Sequence, residues 1–206
     1  MSTIALTLAP PRSRATARLA FQVACAAAGS ALIAGLAQIS IHLGQNPVPI
    51  TGQTLGVLLV GAAYGPALGA VTLLLYLAEA VVGLPVLARN PSGGHDTGIA
   101  VIQFAEVTGG YLWGFVVASA VVGRLADRGW DRVVWSAIPT MVIGEVIIFA
   151  FGLPWLHHAL GVGWGTTLSY GLWPFLAGDT LKLVIAAGLL PISWGLLDRF
   201  RPSREA

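Results

Sequence analysis

Residues 19–78 read LAFQVACAAAGSALIAGLAQISIHLGQNPVPITGQTLGVLLVGAAYGPALGAVTLLLYLA and contain no Asp, Glu, Lys or Arg. A bilayer-crossing helix needs about 20 apolar residues, so this run between Arg18 and Glu79 holds up to three crossings. The rest of the chain agrees. Of its 206 residues 10% are charged and 56% hydrophobic, where a soluble domain carries about 25% charged residues. Disorder is excluded, because it requires low hydrophobicity and high charge. An ordinary soluble enzyme is excluded as well, because 11 basic and 9 acidic side chains cannot cover the surface of such a globule. The expected class is all-α: a polytopic membrane protein in a lipid bilayer. A net charge of +2 is too small to suggest a nucleic-acid partner. The single cysteine, Cys25, excludes an intrachain disulfide and a four-cysteine metal site. No cleavable signal is expected, since the apolar patch Ile4–Ala9 is short and ends at Pro10-Pro11.

Breakers divide the rest into six spans. Span one is expected over Ala17–Leu43 and ends at Gly44-Gln45-Asn46-Pro47. Gly65-Pro66 separates a short span two, Thr51–Tyr64, from span three, Pro66–Gly83. A loop over 84–107 leads to span four, Thr108–Leu125. After a charged turn, Arg124–Arg132, comes span five, Val133–Leu156. A glycine-rich segment, His157–Tyr170, precedes span six, Gly171–Leu197. Six spans put both termini on one side, and basic residues favour the cytoplasmic side. Arg12, Arg14, Arg18, Arg124, Arg128, Arg132, Arg199, Arg201 and Arg204 then fall inside, with Arg89 alone outside and Lys182 within span six. Tails at 1–16 and 199–206 are thus expected in the cytoplasm, flanking a membrane domain over 17–198. Trp130, Trp135 and Trp194 fall near the inner face, and Trp113, Trp155, Trp164 and Trp173 near the outer, as interfacial belts would.

Ionisable residues inside spans are functional candidates by default. Asp179 and Lys182, at i,i+3, share one helix face near the outer end of span six. They form either a ligand site or a structural ion pair locking span six to a neighbour. Glu79 reads as an interfacial, snorkelling carboxylate, and Glu145, near the middle of span five, as a buried polar contact. The outer side also gathers Thr51, Gln53 and Thr54, then Arg89, Asn90, His95 and Asp96, then Thr108, Gly109, Gly110 and Tyr111. Uncharged donors and acceptors beside one lysine suit a small ligand with a polar head and a carboxylate. Plain loop composition is the competing account.

Enzyme signatures fail. No HExxH, GxSxG or Walker A sequence occurs, and His42, His95, His157 and His158 make no metal-ligand pattern. No catalytic residue, metal or cofactor is expected. Ala20, Ala24 and Ala28 form a small-residue stripe along span one. It fits either docking to a partner membrane protein or packing within the bundle.

The pieces PVPITGQTL (47–55), GPALG (65–69), GLPV (83–86), TGGYLWGF (108–115), GLPWL (152–156) and PFLAGDTLK (174–182) resemble, in order and spacing, the BioY family of biotin-binding S components of energy-coupling factor transporters. The resemblance covers about residues 17–195. It departs where Glu106-Val107 replaces Gly-Pro, where Leu87 replaces Phe, and where Ala177 replaces Pro. It implies a six-helix S-component fold with cytoplasmic termini in a bacterial inner membrane. It also implies biotin capture from outside, a transmembrane coupling protein and two cytoplasmic ATPases as partners, and docking through the alanine stripe. For biotin, Asp179 and Asn90 would serve the ureido ring, Tyr111 and span two the thiophane ring, and Lys182 or Arg89 the carboxylate. Thr51, Gln53, Gly109 and Gly110 complete the expected site. The 84–107 loop, with its Gly93-Gly94 pair, is expected to close over the ligand. Without the resemblance, a small channel or facilitator for another vitamin or metabolite, or an intramembrane enzyme, fits the same residues.

Overall fold

A computed structural model describes residues 3–11, 14–44, 46–90, 92–103 and 106–200. Arg12, Arg201 and Arg204, counted above on the cytoplasmic side, lie outside these residues. The helices are α1 (Ile4–Leu8), α2 (Ala15–Ala37), α3 (Gln53–Tyr64), α4 (Pro66–Val81), α5 (Gly109–Asp127), α6 (Val134–Leu160), α7 (Trp164–Gly171) and α8 (Trp173–Phe200). Strands β1 (Ser40–Ile41) and β2 (Ile50–Thr51) pair antiparallel, with Ser40 opposite Thr51 and Ile41 opposite Ile50. Among the described residues four helical segments are long and apolar enough to cross a bilayer, and α3 and α4 are shorter apolar helices.

Span one therefore ends earlier than expected. The helix stops at Ala37, and the Gln38 side chain donates to the Leu87 carbonyl at 3.3 Å. β-branched Ile39 and Ile41 then favour extended chain, and the hairpin returns to α3. With 12 residues α3 is only about 18 Å long. Gly65 (φ +83°) supplies the backbone that lets Pro66 start α4 directly, a turn that only glycine makes without strain. The glycine-rich segment His157–Tyr170 is largely helical. α6 runs on through His157 and His158 to a left-handed Gly161, and α7 fills 164–171.

The bundle has a tight end and an open end. At the tight end lie the α3–α4 turn, the α5–α6 turn and both described chain ends. A Cβ on Gly123 would fall 2.4 Å from the Gly65 carbonyl carbon, and one on Gly61 would fall 2.7 Å from the Ser119 oxygen. Thr3 is buried against Gly65, so the N-terminal segment is partly packed and not a free tail. The Trp194 indole donates to Asp131 Oδ2 at 2.6 Å, with Arg132 stacked 4.5 Å from the ring centroid. Trp194 is 5% exposed, so it is a packing residue instead of the interfacial anchor expected. Trp155 is half-buried: its indole donates to the Glu106 carbonyl at 2.9 Å and covers Gly109 and Gly110. Trp135, Trp164 and Trp173 are exposed, as belt residues are. Glu79 also departs from expectation. It accepts a short hydrogen bond from Ser30 of α2, tying α4 to α2.

Candidate functional site

The open end holds a cavity with about 820 Å³ of empty space, open solvent at its mouth included. Its walls come from the hairpin, the starts of α3, α5 and α8, the middle of α6 and the loop after α4. The face of α8 carrying Phe175, Asp179 and Lys182, at i, i+4 and i+7, points into it. Lys182 Nζ lies 2.8 Å from Asp179 Oδ1 and donates to Thr54 Oγ1 at 3.1 Å. Thr54 lies 3.5 Å from the same Asp179 oxygen. Asp179 is 3% exposed, and its Oδ2 has no hydrogen-bond partner among the described residues. The pair ties α8 to α3 and lines the cavity.

One wall is aromatic. Tyr111 and Phe149 meet edge to face at 6.3 Å, and Phe149 meets Phe175 at the same distance. The Tyr111 hydroxyl donates to the Gly171 carbonyl at 3.0 Å, which holds the ring upright. Such a wall suits a flat or aliphatic ligand body. Gln53 and Thr51 also line the cavity, but their polar atoms are engaged. Thr51 Oγ1 donates to Gln53 Oε1 at 3.0 Å, Gln53 Nε2 donates to the Tyr76 hydroxyl at 2.7 Å, and that hydroxyl donates to the Val86 carbonyl at 2.8 Å. This chain fixes the loop over α3. Asn90 is the hub of its own turn: its amide donates to Asp96 at 3.0 Å, and its oxygen accepts from Ser92 and the Gly94 N–H. A bridge between Arg89 and His95 closes that turn beside the cavity.

Two predicted residues fall elsewhere. Gly109 and Gly110 are outside the cavity lining. A Cβ on Gly110 would meet the Trp155 Cβ at 2.3 Å, so these glycines allow α5 to approach α6. Sequence reasoning missed Phe149 and Phe175 as wall residues. Their signal was present: Phe175 lies four residues before Asp179, and Phe149 four after Glu145. At the mouth stands Glu106, at the departure from the usual Gly-Pro. Burial pushes its carboxyl above the ordinary range, and nearby Asp96 adds to this. Hydrogen bonds from Val107 and Thr108 offset part of the rise.

A helical membrane bundle with two short apolar helices, and at one end a largely apolar cavity holding a few polar groups, defines the class. Its fold matches that of the solved S-component for biotin from an ECF-type ABC transporter, with a TM-score of 0.72 over 91% of this chain and 95% of that one, at 24% identity. The family can now be stated. The BioY family model matches residues 10–199, and this chain belongs to that family. Similar proteins include the biotin transporter BioY of Rhizobium etli, 38% identical over 71% of this chain and 78% of that one. The biotin transporter BioY of Rhodobacter capsulatus is 35% identical over 84% of this chain and 91% of that one. That of Thermotoga maritima is 35% identical over 77% and 86%.

Proposed function

We propose that this chain is the biotin-capturing membrane subunit of a vitamin-uptake transporter, and not an enzyme. The observation that carries the reading is the Asp179–Lys182–Thr54 cluster beside an aromatic wall, in a BioY-family chain whose relatives are named biotin transporters. The ureido ring offers two N–H donors and one carbonyl, matching the free Asp179 oxygen and Asn90. The thiophane ring and alkyl chain lie against Tyr111 and Phe149. Lys182 or Arg89 meets the carboxylate. The arginine asymmetry supports a tight end in the cytoplasm and a cavity open to the outside of a bacterial inner membrane.

Reorientation of the loaded subunit is powered by partners: a transmembrane coupling protein and two cytoplasmic ATPases. The stripe of Ala20, Ala24 and Ala28 supports the docking role assigned to it. All three are exposed, whereas Ala26, Gly29, Ser30 and Ile33 form the face of α2 that packs on the bundle. Binding of labelled biotin to the purified full-length chain tests the function. Retention at micromolar biotin, competed by unlabelled biotin, is expected. No retention would overturn the reading in favour of a facilitator for another metabolite.

A further inference from the structure

One buried acid behind the cavity has no role in the account above. Glu145 sits on α6, one turn before the cavity-lining Ile148 and Phe149, but does not line the cavity. It is 4% exposed, and neither carboxyl oxygen has a hydrogen-bond partner among the described residues. Asp179 and Lys182 are its charged neighbours, and the Thr54 hydroxyl lies close enough to lend it a hydrogen bond once it ionises. Two buried carboxyl groups thus face a single ammonium, and Asp179 already holds that ammonium at 2.8 Å.

Among the described residues, the elements packed against α6 bring no second cation to this depth. On α3 the nearby polar group is Thr54, and Tyr64 lies at the far end. On α5, Tyr111 is hydrogen-bonded to Gly171, and Arg124 and Asp127 belong to the last turn at the tight end. α7 meets α6 at His157, in the last turn of α6. α8 brings Asp179 and Lys182 themselves. A second ionised carboxylate here would be buried without compensation, a state that a low-dielectric interior strongly disfavours.

We propose that Glu145 is a neutral, proton-bearing acid behind the ligand site, and that its proton leaves Lys182 committed to Asp179, Thr54 and an arriving ligand. Glu145 is a positioning residue. Once it ionises, a second carboxylate competes for Lys182 from the side away from the cavity, and ligand affinity falls. The inference rests on biotin as the ligand only for its second test.

The first test needs no ligand. Infrared spectra of the purified full-length protein at neutral pH should show a protonated-carboxyl C=O band that disappears in Glu145→Gln. A spectrum in which no such band depends on Glu145 overturns the proposal. The second test compares biotin affinity at neutral and alkaline pH. Wild type should weaken about tenfold or more as the competing charge appears. Glu145→Gln should flatten that slope, and Glu145→Asp should restore it. Equal slopes in wild type and Glu145→Gln would assign the titration to Lys182 and overturn the proposal. If wild type binds no biotin, the functional reading fails, while the infrared band still decides this one. If Glu145→Gln does not fold, a shift of the band in Glu145→Asp decides it.

Discussion

Helices α3 and α5 meet backbone to backbone at one end of the bundle, where Gly123 leaves no room for a Cβ beside Gly65. Toward the other end the same two helices line an open cavity, through Gln53 and Thr54 on one and Tyr111 and Phe115 on the other. The tight end is held by close backbone contact, with the Asp131–Trp194 hydrogen bond and the Arg132 stack beside it. The open end is held by hydrogen bonds and one ion pair, which a ligand can exchange. A single helix pair thus combines a close-packed end with an open one.

Substitutions at the two ends should behave differently. Lys182→Ala should lower biotin affinity roughly 30-fold or more, since truncating one partner of a buried charge pair costs about 2–5 kcal/mol. Titration calorimetry checks this, and near-wild-type affinity would reduce the cluster to a helix clamp. Gly123→Val should cost about 3 kcal/mol by overpacking, read as a lower unfolding temperature in detergent. Its control, Gly163→Ala, has nothing within 4 Å of the added Cβ and should change little. If both variants unfold alike, the tight end tolerates side chains at Gly123 and is not close-packed.

The smallest effect concerns Asp131. Burial holds its carboxyl above the ordinary range despite the Trp194 hydrogen bond. An acid whose folded-state value is raised favours folding below its unfolded value and loses that contribution as pH rises through the raised one. Stability of wild type should therefore decline slightly over that window, and Asp131→Asn should flatten the decline. Thermal unfolding followed across pH would reveal a slope unchanged by the substitution, were the contact unimportant.

The class of fold was legible because charge scarcity and arginine placement follow directly from the cost of charge in lipid. Asp179 and Lys182 were legible as a pair because i,i+3 spacing is local. Thr54 was not legible as their partner, because contact between α3 and α8 is a tertiary fact. Gly109 and Gly110 show a different obstacle. A glycine that opens a site and a glycine that lets two helices touch look the same in sequence, and only the position of Trp155 separates them. Trp194 shows the same ambiguity for an indole, which anchors at an interface or satisfies a buried carboxylate with equal ease.

The shortness of α3 has an electrical consequence. Hydrocarbon about 30 Å thick normally carries the whole membrane potential, but along α3 the protein barrier is about 18 Å long. Where water follows the cavity down to Thr54, the same voltage drops over the shorter distance and the local field is steeper. A charge held at that depth, such as the Asp179–Lys182 pair, would sit at the edge of that focused field and feel membrane voltage more strongly than one in solution.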